Sequence, residues 1–167
     1  PFADPSVISG QGTLALELLR QVPKIDTLLV SIGGGGLISG VSTVFKALSP
    51  ETRIIGIEPE GAPTLHNSVE AGDLVTLPGI TTRASSLAPR RSEQLNFDII
   101  RQHVDDFILV SDQEMEEAAS WLWKEMGIAA ELSAAAGIAA LASGKYRPSA
   151  DEQVCSIICG TGADGIS

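Results

Sequence analysis

The sequence predicts an α/β fold in which a doubly wound, mostly parallel sheet carries helices on both faces. Three observations lead there. Short β-rich apolar runs alternate along the chain with longer segments of helical period. Those runs have the make-up of strands buried within a sheet. The first of them empties into four consecutive glycines, Gly33 to Gly36, just ahead of a helical segment.

Taken in order, GQGTLALELLRQV (10–22) places Leu14, Leu16, Leu18, Leu19 and Val22 broadly on one helical face, with Pro23 following. DTLLVSI (26–32) is the first strand and LISGVSTVFKAL (37–48) the next helix, ending near Ser49-Pro50. RIIGIEP (53–59) is a second strand stopped by Pro59, and APTLHNSVEAG (62–72) a helix closed by Gly72. Residues 73–93 hold no period and carry Pro, Gly and Ser, as a long functional loop does. NFDIIRQHV leads into a strand at DDFILV (105–110). SDQEMEEAASWLWKEMG (111–127) is the clearest helix: Ser111 and Glu114 form a capping box and Gly127 ends it. A helix within 131–143 precedes a final strand, QVCSIIC (153–159). Residues 1–167 show no repeat and no second domain.

At 167 residues and 44% hydrophobic, the chain can bury one sizeable core. Its formal charge is −10 and its densest basic cluster is Arg90-Arg91, so no basic stripe faces nucleic acid. The least charged run, 128–144, is too short to span a bilayer and holds Glu131, which predicts a buried helix instead. Cys155 and Cys159 on one strand face would stand roughly 13 Å apart at about 3.3 Å per residue, too far for a disulfide. A reduced, cytoplasmic setting is expected. The start, without Met, and the end, just after a glycine turn, suggest a piece of a longer protein.

A strand that runs through glycines into a helix builds an anion site. The helix mouth offers unpaired N–H groups and the positive end of its dipole. Glycines let a phosphate approach the backbone and let successive N–H groups converge. Gly33, Gly34, Gly35, Gly36 and the amide of Leu37 are the candidate cradle, against the plainer alternative of close helix–strand packing. Glu58 follows at a dinucleotide-like spacing, but Ile38 or Ser39 stands where the third glycine of that fingerprint belongs. One phosphate monoester fits better than a pyrophosphate. No Lys follows the glycines, which argues against a Walker site.

Strand–GGGGL–helix, preceded by PFADPSVISGQGT and LLRQVPKID and followed by IIGIEPEGAP, HVDDFILVSDQEM and IICGTGADG, resembles the fold type II pyridoxal-phosphate enzymes. These are the serine/threonine dehydratases, with serine racemase and threonine synthase nearby. The resemblance spans the whole chain, but as the C-terminal half of such an enzyme. It implies the large domain of a tryptophan-synthase-β-like fold, incomplete here, with pyridoxal 5'-phosphate as cofactor. It implies that Gly33 to Gly36 and Leu37 hold the cofactor phosphate, and that Cys159 meets the pyridine nitrogen. Read without it, Cys159 is simply a small residue in a buried strand. It further implies a cation, monovalent or divalent, at Glu58, the Ala62 carbonyl and Thr64, although Thr64 brings no carboxylate.

Two further segments depart from the family. Ala84-Ser85-Ser86-Leu87 stands in place of A-D-G-L, so Ser86 narrows the approach to the cofactor. Glu131-Leu132-Ser133 keeps the acid of E-P-[ST] without its proline, and Glu131 could face the ring or pair at a helix start. The lysine that carries the cofactor as a Schiff base in this family lies N-terminal to the matched region. Lys24, Lys46, Lys124 and Lys145 stand in PKID, FKAL, WKEM and GKYR, none in that context. No catalytic residue is therefore expected in the chain, which alone would be inactive.

His66 and His103 read as surface or satisfied helix histidines, and no ligand cluster suggests zinc. Trp121 and Trp123 read as core or interface. For the parent protein the resemblance implies a lyase that eliminates water from a small β-hydroxy amino acid to give an oxo acid and ammonia. A racemase or threonine synthase-like enzyme is its alternative, and a homodimer, no membrane and no nucleic acid complete the expectation. The rival from another class is a non-catalytic phosphate- or nucleotide-binding α/β module.

Overall fold

The computed structural model describes residues 2–166. Four parallel strands, β1 (Thr27–Ser31), β2 (Arg53–Pro59), β3 (Asp106–Val110) and β4 (Val154–Ser156), form one sheet in the order β3-β2-β1-β4. Thr27 pairs with Arg53 on one side and with Val154 on the other, so β1 is central. The chain steps outward from β1 to β2 to β3 and then returns to the opposite side of β1. The order therefore reverses between β1 and β4, and open α/β sheets hold ligands in the crevice at such a point.

The reversal also sends the helices to opposite faces, because crossovers between parallel strands keep one hand. On one face lie α1 (Pro5–Gln21), α2 (Gly36–Leu48), α3 (Thr64–Ala71) and α4 (Gln94–His103). Leu28, Val30, Ile32, Val41, Phe45, Leu65, Phe97 and Ile100 fill that core. On the other face lie α5 (Asp112–Met126) and α6 (Leu132–Ala142), packed over Leu29, Ile55, Ile57 and Val110. Residues of one strand alternate between the two clusters, as Leu28 and Leu29 do. That alternation is why β1 is apolar at its centre, Leu28 to Val30, and buried at every position.

α6 is the run whose low charge predicted burial. Eight of its residues are buried, and alanines at 134, 135, 136, 139 and 140 let it lie close on the sheet. α5 starts as expected: the Ser111 hydroxyl accepts the amide of Glu114, the Glu114 carboxylate accepts the amide of Ser111 at 2.7 Å, and Gly127 closes it at φ 67°.

Several boundaries differ from the sequence expectation. α1 begins at Pro5 rather than residue 10, because Asp4 accepts the Ser6 amide and Pro5 opens the first turn. Residues 94–103, to which the sequence reading assigns no element, form α4, with Phe97 and Ile100 turned inward. The final strand covers 154–156 instead of 153–159, so Cys159 lies beyond it and is exposed. The two cysteines consequently do not share a strand face. Trp121 and Trp123 are not core residues: they are 48% and 40% exposed.

Candidate cofactor site

The C-terminal ends of β1 and β4 and the N-terminus of α6 enclose a cavity of about 480 Å³. Gly33, Gly34, Gly35, Gly36 and Leu37 form one side, and Glu131, Ser133, Ile158 and Cys159 another. Gln11, Ser31 and Ser86 add polar lining, and Phe2 and Leu87 are part of its apolar wall. The residues predicted to hold a cofactor phosphate and those at the other end of the same ligand thus face one space.

Gly35 caps α2 in the left-handed region at φ 93°. A side chain there would be strained and would press on Ile100 and Leu65. Gly33 faces the Ser86 carbonyl, and the Phe2 ring lies directly on Gly34. These contacts explain three bare positions by close approach of neighbouring chain, so the packing alternative is partly right. It does not explain the amides. Among the described residues no acceptor pairs with the N–H groups of Gly33 through Ile38. Unpaired amides at a helix mouth form an anion site.

Glu131 precedes the first turn of α6, yet its side chain makes no cap. It turns into the cavity, where the Ser86 hydroxyl donates to it at 3.3 Å. The start of α6 is served instead by Asp164, which accepts the Leu132 amide at 2.9 Å. The chain past β4 is held against the same turn, since Glu131 N donates to the Gly160 carbonyl at 3.3 Å. A Cβ on Gly160 would stand 2.5 Å from the Glu131 carboxylate. Glu131 thereby faces the cavity and makes no ion pair among the described residues. Desolvation, with the Glu131 charge adding to it, raises the Cys159 thiol above its ordinary range, so the sulfur keeps its proton at neutral pH. The Ser31 hydroxyl is buried at the cavity and has no partner among the described residues.

Glu58, Ala62 and Thr64 lie elsewhere, between β2 and α3. Glu58 is fully buried, and its two oxygens accept the amides of Leu65 at 2.9 Å and His66 at 2.7 Å. Burial pushes its pKa up to about 7 against the pull of these amides. The Ala62 carbonyl accepts the Thr64 amide, and the Thr64 hydroxyl donates to the Pro89 carbonyl at 2.6 Å. As arranged, these groups cap a helix and tie down the 73–93 loop.

None of the four lysines lines the cavity. Lys24 pairs with Asp26, the half-buried Lys46 with Asp105, and Lys145 with Glu60 and Glu114. His66 packs edge-on against Phe107, and His103 meets the Thr43 hydroxyl, both away from the site. Sequence reading missed Phe2, Ser31, Ser92 and Asn96 at the glycine loop. No local pattern marks Phe2, Ser92 and Asn96, because they reach the loop from up to 62 positions away, whereas Ser31 stands just ahead of it.

A doubly wound parallel sheet with unpaired amides at its switch point suits a phosphorylated ligand. The comparisons with known proteins agree. Residues 1–160 match the family described as pyridoxal-phosphate dependent enzyme. The chain is 38% identical over 164 residues to phenylserine dehydratase of Ralstonia pickettii, covering 98% of this chain and 50% of that protein. It is 42% identical over 149 residues to serine racemase of Oryza sativa subsp. indica, covering 89% and 44%. Threonine deaminase from T.th. superimposes with a TM-score of 0.90 at 36% identity, over 96% of this chain and 60% of that one. The chain belongs to the fold type II pyridoxal-phosphate dependent enzymes, and its cofactor is pyridoxal phosphate. It spans about half the length of the curated relatives it matches. Among the described residues no helix is long and apolar enough to cross a membrane.

The residues present fit that cofactor. The unpaired amides suit its phosphate, and the protonated Cys159 thiol suits a neutral ring nitrogen that accepts a hydrogen bond.

Proposed function

We propose that the protein carrying this chain is a lyase acting on a small β-hydroxy amino acid such as threonine or serine. It removes the α-proton and the β-hydroxyl, and hydrolysis then yields an oxo acid and ammonia. The observation that carries this reading is the joint lining of one cavity by Gly33–Leu37 and Cys159. It is supported by relatives named phenylserine dehydratase and threonine deaminase.

Bound pyridoxal phosphate supplies the electron sink that acidifies the α-carbon. The chain's own residues hold and orient it. The amides of Gly33 to Leu37 would hold the phosphate and the Cys159 Sγ proton would serve the ring nitrogen, while Glu131, steadied by Ser86, stands at the cavity wall. A lysine supplied from outside these 167 residues moves the α-proton, so this chain alone is inactive. Two free cysteines suit a reduced cytoplasmic setting. The exposed Trp121, Trp123 and Met126 suit a dimer of the whole protein.

The test is to supply the intact protein with pyridoxal phosphate and L-threonine or L-serine and to follow oxo acid release. Oxo acid from either substrate supports a lyase. Conversion of L-serine to D-serine without oxo acid would replace it by the racemase reading, which the identity to rice serine racemase favours. The same protein failing to bind pyridoxal phosphate would leave the non-catalytic module.

A further inference from the structure

We propose that Asn96 and Ser92 are positioning residues of the phosphate cradle, gripping the Gly34 carbonyl from behind so that the loop's amides face the cavity. This rests on the phosphate-binding role proposed above for the glycine loop. The Gly34 oxygen accepts Asn96 Nδ2 at 2.7 Å and Ser92 Oγ at 2.8 Å, which occupies both of its lone pairs. Neither side chain lines the cavity, whereas Gly34 and Gly35 both do. Every peptide bond here is trans, and in a planar trans peptide the C=O and the next N–H point opposite ways. Drawing the Gly34 oxygen toward α4 therefore turns the Gly35 N–H away from α4.

A loop of four glycines has little power to hold itself in one conformation, since glycine loses more backbone freedom on ordering than any other residue. The order has to come from outside, and these two side chains are placed to impose it. Asn96 is fully buried and Ser92 is 2% exposed. Asn96 Nδ2 also donates to the Phe2 carbonyl at 3.1 Å, fixing the segment whose ring lies on Gly34. Its Oδ1 has no partner among the described residues. A buried amide left half unsatisfied is costly, and an apolar residue would pack there without that cost. Both bonds that Asn96 does make hold the cradle.

The experiment compares pyridoxal phosphate with pyridoxal, which lacks the phosphate, in the intact protein and its Asn96→Ala and Ser92→Ala variants. Affinity for each ligand is read by fluorescence titration. In Asn96→Ala, affinity for pyridoxal phosphate falls about tenfold, while pyridoxal changes by less than about twofold. Ser92→Ala moves the same ratio in the same direction, by about threefold. A merely structural role would weaken both ligands alike, and an unchanged ratio in a folded variant overturns the proposal. Should Asn96→Ala fail to fold, Ser92→Ala decides alone, because it removes a single hydroxyl. A wild-type protein that does not prefer the phosphorylated ligand would instead sink the cradle itself, a distinct result.

Discussion

The carboxylate of Glu58 accepts the backbone N–H of Leu65 at 2.9 Å inside a fully buried pocket at the mouth of α3. Burial dominates, so its pKa stands near 7 in the folded chain, above the ordinary 4.5. The folded state thus holds this proton more tightly than the unfolded state. Stability from this group is fully present below about pH 4.5 and is lost as pH rises to about 7. The loss is on the order of 3 kcal/mol at about 1.4 kcal/mol per unit. Urea unfolding of wild type and Glu58→Gln at pH 5 and pH 8 checks it. The wild type loses stability relative to the variant across that interval, and parallel pH curves would contradict the assignment.

Glycine-to-alanine changes should split by position. Gly35→Ala places a side chain at φ 93°, 2.8 Å from Ile100 Cδ1, costing on the order of 1–3 kcal/mol and degrading the cradle. Gly10→Ala, on the exposed side of α1 with open space around it, stabilises by roughly 0.5–1 kcal/mol. Thermal and urea unfolding of the two variants should bracket the wild type.

Ser111→Ala removes one arm of the capping box on α5 and should cost about 1 kcal/mol, without change in affinity for pyridoxal phosphate. Denaturant midpoints and a ligand titration measure the two halves of that statement.

Cys159 is exposed, yet its thiol should alkylate slowly at neutral pH, because desolvation and the Glu131 charge both oppose the thiolate. Glu131→Gln removes the second cause and should shift the alkylation profile to lower pH. Iodoacetamide labelling across pH, read by mass spectrometry at Cys159, follows it.

Much of this fold was legible because local chemistry decides it. Asp112–Met126 was readable from its capping box, and the glycine run from its position between an apolar strand and a helix. What was hidden depends on partners distant in sequence. The last strand is short because only Val154 to Ser156 stand in ladder register with β1, which a run of apolar residues does not disclose. The role of Glu58 as a buried helix cap comes from how α3 folds back onto the end of β2. Asn96 and Ser92 meet Gly34 only after the whole 73–93 loop has been laid down.

The most direct test of the cofactor site follows backbone amide resonances of the 15N-labelled intact protein as pyridoxal phosphate is added. The amides of Gly33 to Leu37 should move together and strongly, and pyridoxal should leave them nearly still. Saturating binding that leaves those five signals in place, with the response elsewhere, would contradict it.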